Sequence, residues 1–168
     1  PHGRIHRPEG GFGATSGPML PDLPVSEALP RLAAALREGA NAVLVAPPGA
    51  GKTTLVPLAL MDEPWAAGGK IIVLEPRRVA ARAAARRMAA LVGEDAPGGT
   101  IGLATRLDRA VSDRTRVEVI TEGLLVRRLQ SDPGLDGVAA VLFDEAHERN
   151  LDTDLALALC LDLQRALR

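Results

Sequence analysis

Short apolar runs alternate along the chain with longer segments in which apolar residues recur every three or four positions. The short runs predict β-strands at residues 42–46, 70–75, 100–105, 115–121 and 138–143. The longer segments predict helices at about residues 26–38, 52–62, 76–93, 122–132 and 152–167. Several runs are uniformly apolar, which is typical of strands covered on both faces. The order of elements therefore predicts an α/β fold with a mostly parallel β-sheet and helices on both faces.

The first eighteen residues do not follow this pattern. They contain two of the three His and six Gly or Pro within the first thirteen positions, without periodicity. We expect residues 1–18 to be a disordered leader, more readily explained by cloning than by a natural flexible tail. Residues 19–168 are then expected to form one domain.

Composition narrows the class of protein. The aromatic fraction is only 2% against 46% apolar residues, so the core must consist mainly of Ala, Leu and Val. A net charge of −1 gives no overall electrostatic signature of nucleic-acid binding, which would have to come from local clusters. The single Cys160 cannot form an internal disulfide, so a cytoplasmic location is expected. No apolar run approaches the length of a membrane span.

The segment APPGAGKTT, residues 46–54, lies between a predicted strand and a predicted helix, which is the context of a phosphate-binding loop. Its glycines allow successive backbone N–H groups to point at an anion, toward which the helix dipole also points. Lys52 would reach the β- and γ-phosphates, and Thr53 would offer its hydroxyl oxygen to Mg²⁺. The predicted nucleotide-binding residues are Pro48, Gly49, Ala50, Gly51, Lys52, Thr53 and Thr54.

A glycine-rich turn with a surface lysine is the simpler explanation of this loop. However, the chain has 18 Arg and only two Lys, and one of the two stands where a compact ammonium is needed. This choice of lysine favours the nucleotide site. The loop departs from the full motif at Ala46, where the motif has glycine.

The stretch VLFDEAHERN, residues 141–150, ends an apolar run with two adjacent carboxylates. Asp144 stands where a phosphate-bound Mg²⁺ needs a carboxylate, and Glu145 can position or deprotonate the water that attacks the γ-phosphate. A solvated turn would explain the two acids if they stood alone, but the loop upstream favours the metal site. The role of His147 is open: it either belongs to this site or is a local capping or packing residue.

DEAHER at 144–149 and APPGAGKTT resemble the nucleotide motifs of the superfamily-2 DEAH-box ATP-dependent RNA helicases. LEPRRVAAR at 74–82 and TEGLLVRRL at 121–129 resemble the two nucleic-acid-contacting motifs of that family, and all four follow the family's order. Leu74-Glu75 stands where the eukaryotic members usually have Thr-Gln, and Glu122 stands where they have Asp. These departures, and the run HERNLDTDLALAL, resemble the bacterial HrpB type. The resemblance implies a RecA-like P-loop domain that hydrolyses ATP with Mg²⁺; Ala46 is then ordinary, because these helicases often begin the loop with Ala or Gly.

The resemblance also implies which residues contact each ligand. The catalytic residues would be Lys52, Asp144 and Glu145, the metal would be held by Thr53, Asp144 and Glu145, and His147 would belong to the nucleotide site. RNA, single-stranded and held by its backbone, would contact Pro76, Arg77, Arg78, Thr121 and Gly123. No Gln precedes Gln130, so the motif by which DEAD-box relatives read adenine is absent and other NTPs should be accepted.

The segment 76–93 is rich in Arg and has no acid, and Arg78, Arg82 and Arg86 form a stripe at intervals of four residues. A solvated helix face explains this stripe as well as an RNA-binding surface does. Arg82, Arg86 and Arg87 also lie outside the recognisable contact motif. We therefore do not include them among the predicted RNA contacts.

In this family a second RecA-like domain with arginine fingers, and further C-terminal regions, follow the DEAH motif. We therefore expect residues 19–168 to be the first RecA-like domain of a longer chain, nearly inactive by itself. Two other functions are open: a stand-alone P-loop kinase for a small molecule, and a non-catalytic nucleotide-binding switch module. A kinase must avoid the water activation that Glu145 suits, and the complete set of catalytic side chains argues against a switch.

Overall fold

The computed structural model describes residues 20–47, 49–148 and 151–167. The predicted leader at residues 1–18 lies outside the described residues, as does Pro48 of the predicted phosphate loop.

Within these described residues, five strands form a single sheet in the order β3-β2-β4-β1-β5. Their bounds are β1 Lys70–Glu75, β2 Ile101–Ala104, β3 Arg109–Ala110, β4 Val117–Thr121 and β5 Val138–Phe143. Neighbouring strands are parallel except for β2 and the short β3, which pair antiparallel. The predicted α/β fold with a mostly parallel sheet is therefore confirmed.

The helices also begin and end close to the predicted positions. Their bounds are α1 Leu29–Glu38, α2 Lys52–Leu60, α3 Arg78–Leu91, α4 Glu122–Ser131 and α5 Leu151–Ala166. A short 3-10 helix at Pro24–Glu27 precedes α1, and another at Pro64–Ala66 precedes β1. Gly39 ends α1 by donating its N–H to the carbonyl of Ala35 at 2.9 Å.

Alternate residues of the central strands face two separate apolar cores. Ile71 and Val73 of β1 pack with α2 and α3 on one face of the sheet. Ile72 and Leu74 pack with α4 and α5 on the other. Because successive side chains of a strand point to opposite faces, the uniformly apolar run of β1 is explained by helices on both sides.

The predicted strand at residues 42–46 is wrong. Residues 41–47 have neither helical nor strand structure, and Val43 and Val45 are 92% and 90% exposed. A strand needs a neighbour for its peptide groups, and within the described part of the chain β5 pairs with β1 alone. For the same reason β5, predicted to be buried, is only half-buried along its length.

A buried carboxylate ties α4 to the sheet. Glu118 of β4 is 1% exposed and accepts hydrogen bonds from both terminal nitrogens of Arg128, at 3.2 and 2.6 Å. Lys70 Nζ lies 3.6 Å from the same carboxylate. Burial by itself would raise the pKa of Glu118, but the hydrogen bonds and charge of Arg128 outweigh it and hold that pKa below its usual value.

We expect Arg128→Met to lower the free energy of unfolding by about 3 kcal/mol, because it leaves a buried charge without its main partner. The exposed neighbour Arg127 provides the matched control, and Arg127→Met should change stability by less than about 0.5 kcal/mol. Urea denaturation followed by circular dichroism measures both. Equal stability of the two variants would contradict this account of Glu118.

Candidate active site

Three neighbouring parallel strands end at the same edge of the sheet. β1 ends at Glu75, β4 at Thr121 and β5 at Phe143, and in register Glu75 lies beside Thr121. Helices α3 and α4 begin immediately after two of these strands, and Asp144 follows the third. Open α/β sheets bind ligands at this edge. The predicted nucleotide motifs and nucleic-acid motifs are therefore brought together here from distant parts of the chain.

The described part of the phosphate loop has the backbone that its glycines predict. Gly49 and Gly51 have φ of +76° and +89°, in the left-handed region. A Cβ on Gly51 would also lie 2.6 Å from Cδ1 of Leu23, so only glycine fits there. Between them, the buried Ala50 accepts a hydrogen bond from the N–H of Val25 at 3.0 Å. The loop is thus anchored to the segment before α1 and presents α2 with its N-terminus at the sheet edge.

The loop and the DEAH segment meet through one short hydrogen bond. Thr53 Oγ1 donates to Asp144 Oδ2 at 2.7 Å, across 91 positions of sequence. Asp144 itself is held at the end of β5, because its N–H donates to the carbonyl of Leu74 at 3.3 Å. A hydroxyl and a carboxylate side by side are hard oxygen donors, so this pair fits a cation such as Mg²⁺.

Glu145 occupies a strained position in the turn that follows. Its φ of +54° is in the left-handed region, which is unusual for a residue with a side chain and costs on the order of 1–3 kcal/mol. In this conformation its carboxylate lies 3.8 Å from Lys52 Nζ and 3.2 Å from His147 Nε2. The side chain of His147 is 70% exposed, so it contacts Glu145 and is not packed in the core.

Glu75 is a buried acid that the motif analysis did not include among the site residues. It is 2% exposed, and its Oε1 is buried without a hydrogen-bond partner among the described residues. Burial, followed by the hydrogen bond and charge of nearby Asp144, raises the pKa of Glu75 to about 9. The signal was present in the sequence, because a Glu replaces the family's usual Gln at the end of a predicted buried strand.

A cleft of about 570 Å³ connects these groups. It is lined by Thr53, Thr54, Glu75, Pro76, Arg77, Ala80, Ala83, Ala84, Arg87, Asp144, Glu145 and Glu148. Arg87 was not among the predicted site residues, yet it faces the same cleft as the phosphate loop. The signal available in the sequence was helical spacing. It places Ala80, Ala83, Ala84 and Arg87 together on one face of the helix, so that three small residues lie beside an arginine. A second hollow, of about 440 Å³ between α1 and α2, contains none of the predicted site residues.

The two adjacent arginines of the predicted nucleic-acid motif have different neighbours. Arg77 Nη2 donates to Glu148 Oε2 at 3.1 Å, beside the cleft. Arg78 is exposed at the start of α3, one turn before Arg82, which binds Asp108 through Nε at 2.6 Å and Nη2 at 2.5 Å. The hydrogen bond from Arg82 is the main cause that holds the pKa of Asp108 below its usual value, with a smaller contribution from the charge of Arg78. The structure thus brings Arg77, and not Arg78, into the lining of the cleft.

The other predicted nucleic-acid residues lie at the same edge. Pro76 is half-buried in the cleft wall, Thr121 ends β4, and Gly123 is exposed in the first turn of α4. The buried Glu122 between them accepts a hydrogen bond from the hydroxyl of Thr153 on α5, which ties the start of α4 to the helix after the DEAH segment.

A mostly parallel sheet with a cleft at the carboxyl ends of its strands is the arrangement of a ligand-binding α/β domain. The chain belongs to the DEAD/DEAH box helicase family, whose model matches residues 26–155. None of the described helices is long and apolar enough to cross a membrane.

Curated relatives narrow the family further. The chain is 51% identical over 149 residues to the ATP-dependent RNA helicase HrpB of Escherichia coli (strain K12), covering 89% of this chain and 18% of that protein. It is 32% identical over 153 residues to the probable ATP-dependent RNA helicase DHX40 of Rattus norvegicus, covering 91% and 20% respectively. The chain thus spans about a fifth of the length of these relatives.

Solved structures agree with this relationship. A crystal structure of the E. coli DEAH/RHA helicase HrpB matches 87% of this chain with a TM-score of 0.82 and 51% identity, and the match covers 18% of that chain. A second, of the E. coli DExH-box NTPase HrpB, matches 89% of this chain with a TM-score of 0.83, again covering 18% of that chain. The resemblance to HrpB-type helicases predicted from the motifs is confirmed.

The buried acid Glu75 generates a prediction about pH. The pKa of Glu75 is higher in the fold than in the unfolded chain. Its contribution to stability is therefore fully present below about pH 4.5 and is lost as the pH rises toward 9. Glu75→Gln removes this loss. The free energy of unfolding of this variant should therefore exceed that of wild type by an amount that grows with pH. The difference should grow by up to about 1.4 kcal/mol per pH unit between pH 5 and 8.

Urea denaturation at several pH values, without divalent cations, measures this difference. Glu38→Gln, which changes an exposed carboxylate at the end of α1, is the matched control and should follow the wild-type pH dependence. If Glu75→Gln did so too, Glu75 would be ionised throughout and the argument from its burial would be wrong.

Proposed function

We propose that this chain is the ATP-binding motor domain of an ATP-dependent RNA helicase. In the whole protein, NTP hydrolysis in the cleft would drive translocation along RNA or unwinding of it. The observation that carries the proposal is the 2.7 Å hydrogen bond between Thr53 and Asp144, which joins the phosphate loop to the DEAH segment. The names of both curated relatives, ATP-dependent RNA helicases, support it. The family match does not favour the kinase or switch alternatives.

The loop is suited to hold the phosphates of an NTP. Backbone N–H groups near Gly49 and Gly51 and the N-terminus of α2 supply positive potential, and Lys52 adds a mobile charge. Mg²⁺, with Thr53 and Asp144 as its ligands and Glu145 nearby, would neutralise charge on the β- and γ-phosphates. Thr54 and His147 complete the proposed nucleotide contacts.

Glu145 is suited to orient the attacking water. Its ion pair with Lys52 at 3.8 Å is long, and both side chains are partly exposed, so the pair is weak. A γ-phosphate offers Lys52 a stronger anionic partner. We therefore infer that nucleotide binding draws Lys52 away from Glu145 and leaves that carboxylate free to accept a proton from water.

RNA is proposed to bind along the same edge through its sugar–phosphate backbone. The residues are Pro76, Arg77, Arg78, Thr121 and Gly123, at the ends of β1 and β4. Aromatic residues make up 2% of the chain, which argues against a base-stacking platform and for contacts that do not read sequence.

Further parts of a longer protein are proposed to complete the site. The match covers 18% of the E. coli relative, which leaves room for a second RecA-like domain and C-terminal regions. An arginine finger from such a domain contributes roughly 10³–10⁵ to phosphoryl transfer. We also propose a cytoplasmic location, which suits a chain whose only cysteine is Cys160.

Replacing Lys52 tests the nucleotide site. We expect Lys52→Ala to weaken binding of Mg·ATP by about 10- to 150-fold, because a lost charge-assisted contact costs roughly 1.5–3 kcal/mol. GTP should compete with ATP to within about tenfold. Titration calorimetry measures both, with Arg31→Ala on the exposed face of α1 as the charge-matched control. Equal ATP affinity of Lys52→Ala and wild type would exclude the proposed site.

Turnover tests the need for a second domain. We expect phosphate release by the 168-residue chain to stay near background even with single-stranded RNA, because the arginine finger is proposed to lie elsewhere. Glu145→Gln should retain ATP binding, which separates loss of water activation from loss of the site. RNA-stimulated release by the 168-residue chain at several turnovers per second would mean that one domain contains the whole site.

A further inference from the structure

The ion pair between Arg77 and Glu148 joins the proposed RNA edge to the DEAH segment. Arg77 stands where β1 gives way to α3, and its side chain is 73% exposed. Glu148, 40% exposed, ends the turn that begins with Asp144. A single hydrogen bond of 3.1 Å connects the two side chains.

The geometry of this pair makes it easy to exchange. An exposed pair held by one hydrogen bond is weak, because water screens the charges and ordering two long side chains opposes the attraction. A guanidinium binds phosphate at least as well, since two parallel N–H donors match two phosphate oxygens. Arg82 shows the contrasting arrangement, because it holds Asp108 through two nitrogens and Thr105 Oγ1 also donates to that carboxylate at 3.1 Å.

Glu148 is also connected to Glu145 within the turn that begins with Asp144. Its N–H donates to the carbonyl of Glu145 at 2.9 Å, and Glu145 is the residue with φ of +54°. The side chain of Glu148 lines the same cleft as Asp144 and Glu145. A change in the partner of Glu148 therefore occurs within one turn of the groups proposed to act on the nucleotide.

We propose that Glu148 is an internal competitor for RNA phosphate at Arg77. Without RNA, the carboxylate of Glu148 is paired with the guanidinium of Arg77. When RNA binds, a phosphate of its backbone displaces that carboxylate. Glu148 thereby lowers the affinity of this edge for RNA and links RNA binding to the turn that carries Glu145. By thermodynamic linkage, whatever stabilises the pair weakens RNA binding, and RNA binding weakens the pair. This inference rests on the proposed function, because it requires RNA phosphate at Arg77.

Glu148→Gln tests the competition, because it removes the charge with little change of shape. We expect this variant to bind a fluorescein-labelled single-stranded oligouridylate about two- to fivefold more tightly than wild type at low salt. Fluorescence anisotropy measures the affinity. A merely structural role of Glu148 predicts unchanged or weaker binding, so the direction of the effect is diagnostic.

A general loss of negative charge also strengthens RNA binding, and two comparisons separate that effect. Asp152→Asn changes another exposed acid shortly after the DEAH segment and should gain less than Glu148→Gln. In an Arg77→Gln background, RNA binding should be weaker, and Glu148→Gln should add no more than Asp152→Asn adds in the same background. A larger gain for Glu148→Gln that persisted without Arg77 would overturn the competition.

The failure of the inference differs from the failure of the proposed function. If wild type binds RNA but Glu148→Gln does not bind it more tightly, the competition is wrong and RNA binding stands. If neither protein binds the oligonucleotide at 20 to 50 mM salt, the RNA contacts at this edge are wrong, and the inference falls with them.

Discussion

Thr53 on α2 donates a hydrogen bond to Asp144 across 91 positions of sequence, and the rest of the cleft is arranged around that contact. It forms because α2 packs on the face of β1 that carries Ile71 and Val73, while Asp144 follows β5, the parallel neighbour of β1. The N–H of Asp144 is bound to the carbonyl of Leu74, which holds the acid against the sheet. Without this packing of α2 beside β5, the loop and the DEAH segment would be separate turns with no hydrogen bond between them.

Charge within the cleft is balanced in pairs. Lys52 faces Glu145 and Arg77 faces Glu148, while burial, together with the nearby Asp144, raises the pKa of Glu75 to about 9. Nucleotide and RNA are both polyanions, and both are proposed to take a cation that now has a carboxylate as its partner. The two proposed ligands would therefore act on neighbouring residues of a single turn, which gives a physical route for coupling between them.

The strand bounds show where sequence patterns succeed. β1 and β5 match the predicted residues 70–75 and 138–143, because uniform apolar runs between polar ends admit few alternatives. The run at 42–46 has the same composition but no strand, since pairing depends on what lies alongside and not on the run itself. The half-burial of β5 has the same origin, and no local pattern distinguishes a central strand from an edge strand.

By itself, the sequence determined the type of most elements and the membership of the two predicted nucleotide motifs. The proposed roles of glycines 49 and 51, Lys52, Thr53 and the acids at 144 and 145 depend on local backbone geometry and residue type, which a sequence records directly. Only the tertiary structure decided that Arg77 faces Glu148, that Arg87 lines the cleft, and that Glu75 is buried beside Asp144. These facts depend on burial and on neighbours from other strands, and both are set by the order of strands in the sheet.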